Sequence, residues 1–155
     1  MKITHLKSYS KELELEFYDF FLSSKPYDLD YIRSPHLRRQ KIESLFSTYC
    51  KTSQVYTVEE NSKLKLAAFI SDNKSYLEVI FIFGVSKNFG SVEIVEASRN
   101  VLEYAMRSLG KNYVKSEIRR KHKVQSYKKW LERYDKKLII FNDENNTVVW
   151  CNRNI

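Results

Sequence analysis

Glu78-Val-Ile-Phe-Ile-Phe-Gly-Val-Ser-Lys-Asn-Phe-Gly-Ser-Val92 is the stretch on which the reading of this chain turns. Val79 to Val85 is apolar without alternation, as expected of a central strand covered on both faces. Gly84 and Gly90, two of only three glycines in the sequence, bracket the loop that follows. A loop that runs from a central strand into a helix N-terminus presents unpaired backbone N–H groups and the positive end of the helix dipole, a setting that suits pyrophosphate. Lys87 adds a cation there, and Gly90 lets backbone approach a ligand closely. The same spacing also fits an ordinary turn. Glu93 and Glu96 put carboxylates in the first turns of the helix, tolerable beside an anion only if they point away.

Working outward, Ser91 to Leu109 is the best helical signal. Ile94, Ser98, Val101, Leu102, Ala105, Met106 and Leu109 share a face, and Gly110 stands at the C′ position. Upstream, Val55–Val58 and Leu64–Ser71 read as strands paired around Glu60-Asn61-Ser62-Lys63, and the third strand, Tyr76–Val85, follows the turn Asp72-Asn73-Lys74-Ser75. Lys2–Leu6 suits a short strand. Leu13, Phe17, Phe20 and Phe21 form the stripe of a first helix with Glu12, Glu14 and Glu16 in its opening turns, and Pro26 ends that segment. Ser34-Pro35 reads as an N-cap and N1 proline before a helix carrying Ile42, Leu45, Phe46 and Tyr49. Downstream, residues 113–119 read as a strand and Val124–Tyr134 as a helix with Tyr127, Trp130, Leu131 and Tyr134 on one face. Leu138–Phe141 and Thr147–Cys151 read as a hairpin. The expected order is β-α-α-β-β-β-α-β-α-β-β, one α/β domain over residues 1–155 around a mixed sheet.

At 155 residues the chain buries about 70% of its unfolded surface and needs no staples. An aromatic share of 14% argues against disorder. Cys50 and Cys151 form no CxxC, which argues against a disulfide framework or zinc module. Val79–Val85 is too short to span a bilayer, and Met-Lys-Ile-Thr-His has no apolar signal core. The expectation is a soluble, reduced, cytoplasmic protein with no membrane partner. The net charge of +8 lies wholly in residues 111–137, which hold 11 basic and 3 acidic side chains. A field of that kind attracts phosphate groups, nucleic acid or a phosphorylated cofactor.

The element order and residues 78–92 resemble the GNAT family of acyl-CoA-dependent N-acetyltransferases. That family carries Arg/Gln-x-x-Gly-x-Gly/Ala between its fourth strand and third helix, where backbone amides cradle the coenzyme A pyrophosphate. The matching positions here are Lys87-Asn88-Phe89-Gly90-Ser91-Val92, with lysine for Arg/Gln and Val92 for the last small residue. Ile118–Tyr134 is similar to the family's fifth strand and fourth helix, without the starting Asn or the closing Gly-Phe. The resemblance implies acetyl-CoA as co-substrate and no metal. It implies a coenzyme site formed by Phe83, Val85, Lys87, Asn88, Phe89, Gly90, Ser91, Val92 and Trp130. It also implies Glu78 as the base that removes the ammonium proton, Tyr127 or Trp130 as nearest to the tyrosine that protonates the departing thiolate, and an acceptor loop at Tyr27, Asp28, Asp30 and Tyr31. Each position has a plainer reading: a strand-start glutamate in solvent, a packing tyrosine, solvated loop acids.

His5, His36 and His122 are scattered without metal-ligand spacing, and neither cysteine has a partner for nucleophilic work. Three readings remain. The first is acetyl transfer to an amine-bearing small molecule or protein. The second is a GNAT-fold protein without a working coenzyme site, acting as a partner in a larger assembly through its basic 111–137 surface. The richness in Lys, Asn, Ile, Tyr and Ser hints at an AT-rich genome, and the chain resembles small phage virion and assembly proteins of this kind, which would place it within a phage particle. The third takes 111–137 as a nucleic-acid surface, with Tyr113, Tyr127, Trp130 and Tyr134 for stacking. Their spacing as a buried helix stripe favours a solvated basic face over this last reading.

Overall fold

The alternating amino terminus forms β1 (Lys2–Leu6), and Ser10 then starts α1 (Lys11–Ser23) by accepting the Leu13 N–H on its Oγ at 3.1 Å. The computed structural model describes residues 1–23, 32–117, 139–142 and 147–151. As expected from Ser34-Pro35, Ser34 caps α2 (Pro35–Thr52) with Pro35 in its first turn, and Ser34 Oγ accepts from Leu37 N. β2 (Gln54–Glu60) and β3 (Lys63–Asp72) join through Asn61 and Ser62, both at positive φ (54° and 63°), the conformation of a two-residue hairpin turn. β4 (Leu77–Gly84) leads to α3 (Ser91–Leu109), which ends at Gly110 in the left-handed region (φ 65°), where a residue with a Cβ would be strained. β5 (Tyr113–Glu117), β6 (Ile139–Asn142) and β7 (Thr147–Cys151) complete the described elements. The helix expected over 124–134 lies outside the described residues.

The seven strands form one mixed sheet in the order β1-β2-β3-β4-β5-β7-β6. All pairings are antiparallel except β4 with β5, which α3 connects as a crossover. The helices cover both faces, which explains why β3 and β4 read as unbroken apolar runs. On one face Leu13, Phe17 and Phe21 of α1 and Ile42, Phe46 and Cys50 of α2 bury against Val55, Ala67, Phe69, Phe81 and Phe83. Phe17 is fully buried at the centre of an aromatic cluster, with the Phe46, Phe69, Phe81 and Phe83 rings 5.0–5.9 Å from its own. On the other face Ala97, Val101, Ala105 and Met106 of α3 pack on Tyr56, Val58, Leu66, Ala68, Ile70 and Leu77. The α3 face is rotated slightly from the expected one. Ala97 is the buried residue, while Ser98 turns its hydroxyl back to the Ile94 carbonyl at 3.0 Å.

Two bulges interrupt this sheet. Phe69 pairs with Phe81 but Ile70 with Val79, so Ile80 is an extra residue in β4. Val58 pairs with Leu66 but Glu59 with Leu64, so Lys65 is an extra residue in β3. A bulge bends its strand and re-aims the side chains around it. Ile80 and Phe81 accordingly both face α1 and α2, while Val79 and Ile82 face α3.

Candidate active site

The bulge at Ile80 falls directly after the last pairing between β4 and β5. Leu77, Glu78 and Val79 pair with Val114, Lys115 and Ser116, and among the described residues the ladder stops there. β4 continues through Ile80–Gly84, where β3 is its partner strand among the described residues. The β5-facing edge of this segment takes part in no strand ladder among the described residues. A narrow, extended ligand with amide groups could pair with such an edge as an additional strand would.

β4 runs into the loop 85–90. Val85 N–H is fixed to the Lys65 carbonyl at 2.9 Å, so the bulge in β3 anchors the start of the loop. At the other end Gly90 is the N-cap of α3 and no side chain caps the first turn. The N–H groups of Ser91, Val92 and Glu93 are thus left to solvent or to an anion. Val92 is 66% exposed, and its branched side chain stands in solvent. The two glycines bracketing the loop have different reasons. A Cβ on Gly84 would lie 2.4 Å from Ile94 Cγ2, so this glycine lets β4 and α3 approach. A Cβ on Gly90 would meet nothing within 4 Å, and its φ of -72° is open to any residue. The described fold has no need of a glycine at position 90.

Two lysines attend the loop, and both are matched by acids. Lys87 Nζ lies 2.7 Å from Glu16 Oε1 and 3.4 Å from Asp19 Oδ2 on α1, and the hydrogen bond to Glu16 raises its pKa above the ordinary 10.5. Lys65 is 6% exposed; its ammonium pairs with Glu60 and sits 5.0 Å from the centre of the Phe89 ring. Lys65 also holds the Glu60 carboxyl below its ordinary pKa. Glu93 and Glu96 are exposed.

At the start of β4, Glu78 is half-buried between Ser71 of β3 and Lys115 of β5, and Asn73 Nδ2 donates to its Oε2 at 3.3 Å. Leu77 and Val79 face α3, so alternation turns Glu78 toward the face that α1 and α2 cover, the same face as Ile80 and Phe81. Glu78 and the loop that leads to the uncapped N-terminus of α3 thus lie at opposite ends of one strand.

No family model matches the sequence, and no curated protein matches it. In fold, however, 86 chains of solved structures match. A GNAT-family acetyltransferase from Staphylococcus aureus superposes with a TM-score of 0.60 at 11% identity, over 96% of this chain and 96% of that one. The Campylobacter jejuni N-acetyltransferase PseH in complex with acetyl coenzyme A gives 0.56 at 14% identity, over 96% of each chain. A GNAT-family acetyltransferase from Elizabethkingia anophelis with acetyl-CoA bound gives 0.54 at 10% identity, over 96% of this chain and 95% of that one.

The chain has the GNAT fold.

Within that fold, Lys87, Asn88, Phe89, Gly90, Ser91 and Val92 form the loop and the first turn of α3. Phe83 and Val85 are 3% and 5% exposed with side chains in the core, so what they can offer a ligand is backbone. Tyr27, Asp28, Asp30, Tyr31, Tyr127 and Trp130 lie outside the described residues, as does most of the basic segment. His5 is stacked on Tyr56, His36 contacts Gln40, and no cluster of metal-ligating side chains forms among the described residues. Cys50 is a buried free thiol whose pKa burial pushes up to about 11. No described helix is long and apolar enough to cross a membrane.

Two features around the site were missed in sequence. The bulge at Ile80 was hidden by the unbroken apolar run, and its one trace is the misfit between that run and strict alternation. The α1 carboxylates on Lys87 left no trace, because Glu16 and Asp19 are some seventy positions away.

Proposed function

We propose that this chain is an acetyltransferase that moves an acetyl group from acetyl-CoA to a primary amine by direct attack. The observation that carries the reading is the continuity of two features: β4, beyond its last described pairing with β5 at Val79, runs directly into a glycine loop and an uncapped helix N-terminus. From Glu78 to Val85 is seven residues, about 20 Å of strand. A ligand that serves both ends needs an anionic head and a reactive end joined by a long, thin arm, which describes an acyl-coenzyme. Gly90, unneeded by the fold, has an explanation if a phosphate group occupies the space a Cβ would take.

In this mechanism the amine nitrogen attacks the thioester carbonyl carbon, the C–N bond forms, and the C–S bond breaks as the thiolate leaves. Glu78, directly or through a water, accepts the proton of the attacking ammonium, and Asn73 fixes its carboxylate orientation. Main-chain N–H groups of the β4 edge stabilise the developing oxyanion. From the resemblance, Tyr127 returns a proton to the thiolate, Trp130 flanks the coenzyme, and Tyr27, Asp28, Asp30 and Tyr31 border the acceptor.

A second reading, a GNAT-fold assembly module without coenzyme, draws on one observation: both lysines near the loop are already paired with carboxylates. Calorimetric titration with acetyl-CoA on wild type and Gly90→Val separates the two. Saturable micromolar binding that the variant loses supports the transferase. No binding at millimolar ligand leaves the module.

A further inference from the structure

Glu16 and Asp19 are three residues apart and so share one side of α1. Both converge on the ammonium of Lys87, at 2.7 and 3.4 Å, and all three side chains line a cleft of about 530 Å³ between α1 and the start of α2. The pairing is lopsided. Lys87 is 53% exposed and Asp19 65%, whereas the Glu16 side chain, the nearer partner, is 17% exposed and held against the body of the protein. Lysine is a flexible point charge that can change partners, and a half-buried glutamate on a packed helix cannot follow it. An anion arriving at the first turn of α3 therefore meets a loop cation whose charge α1 already neutralises. To use that cation it must detach Lys87 from Glu16 and Asp19, leaving both carboxylates behind.

Resting on the coenzyme reading above, we infer that Glu16 and Asp19 set the affinity for the coenzyme by competing with its phosphates for Lys87. They do so without touching the ligand. Coenzyme occupancy and the grip of α1 on the loop are then linked, and the linkage is reciprocal.

The test is a calorimetric cycle with acetyl-CoA at low salt on wild type, Glu16→Gln/Asp19→Asn, Lys87→Met and the triple variant, with a thermal midpoint for each to show that it is folded. The expected result is that the double variant binds about threefold to tenfold tighter than wild type, and that the gain vanishes when residue 87 is methionine. Equal or weaker binding by the double variant overturns the inference while leaving the transferase reading intact. So does a gain that persists without Lys87, since it would report general charge and no competition. Binding by the double variant with none by wild type supports the inference and removes the transferase reading from the unmodified chain. No binding by any variant at millimolar ligand sinks both.

Discussion

Gly84→Ala isolates the contact that sets the distance between β4 and α3. The new Cβ would stand 2.4 Å from Ile94 Cγ2, 3.0 Å from Cδ1 and 3.1 Å from Cγ1, whereas carbons in contact prefer about 3.5–4.0 Å. Either α3 moves away by about 1 Å or Ile94, stiff at χ1, leaves its rotamer. Overpacking of this kind costs about 1–3 kcal/mol. Alanine also restricts the unfolded chain, which offsets about 0.4–1 kcal/mol. The net expectation is a loss of about 1–2 kcal/mol in urea unfolding at unchanged m-value. Ile94→Ala alone should cost about 2 kcal/mol, the low end for a partly buried isoleucine. In Gly84→Ala/Ile94→Ala the alanine methyl occupies space the isoleucine vacated. The double variant should then lose at least about 1 kcal/mol less than the two single losses added together. Gly90→Ala serves as the control, expected within about 0.5 kcal/mol of wild type. A Gly84→Ala protein as stable as wild type, or strictly additive losses at 84 and 94, would refute the steric account of this glycine.

Three other outcomes are expected. Glu78→Gln keeps the Asn73 contact within reach but cannot accept a proton, so acetyl transfer should fall about 10²–10⁴-fold with acetyl-CoA affinity nearly unchanged; an equal fall in affinity would make Glu78 a binding group. Phe17→Ala empties the centre of the aromatic cluster and should cost about 3–5 kcal/mol in chemical denaturation, and a loss below about 1 kcal/mol would mean the cluster collapses around the gap. Lys87 has a raised pKa, so its pairing with α1 contributes stability that is complete below its ordinary value of 10.5 and lost as pH rises through the higher folded value. The gap in thermal midpoint between wild type and Lys87→Met should accordingly be constant near neutrality and close above about pH 10.5. A gap that stays constant into strong alkali would show that the pairing does not stabilise the fold.

Much of this architecture was legible because its signals are local. Ser34-Pro35 announces α2, the apolar spacing and Gly110 bound α3, and the doubly covered run 79–85 places β4 in the middle of the sheet. β1 and β7 kept their expected limits and other strand limits moved by one or two residues, as pairing partners rather than propensity decide where a strand stops. What escaped is non-local. A bulge is a mismatch between two strands, and neither Ile80 nor Lys65 carries it alone. Alternation from Leu66 would turn Leu64 toward α3, yet the extra place at Lys65 turns Leu64 to the α1 and α2 side and sets the buried Lys65 ammonium against Phe89. The reach of Glu16 and Asp19 to Lys87 depends on how α1 lies on the sheet, which the stripe of Leu13, Phe17 and Phe21 fixes only once the sheet exists.

The two bulges also divide the labour of the site. The one at Ile80 bends β4 just beyond its last described pairing with β5, and the one at Lys65 ties down Val85 and braces Phe89 at the opposite end. With Lys65 matched to Glu60 and Lys87 to Glu16 and Asp19, the described residues around the loop carry no surplus positive charge until Lys87 is released, so the loop's first attraction for a phosphate is that of the fixed N–H dipoles of the α3 first turn. Such dipoles act over one turn and are weakly screened, whereas a steered approach through a basic surface fades within a Debye length of about 8 Å at physiological salt. The salt dependence of acetyl-CoA binding therefore discriminates between them. A shallow slope assigns affinity to the backbone cradle, and a steep one assigns it to the cations of residues 111–137.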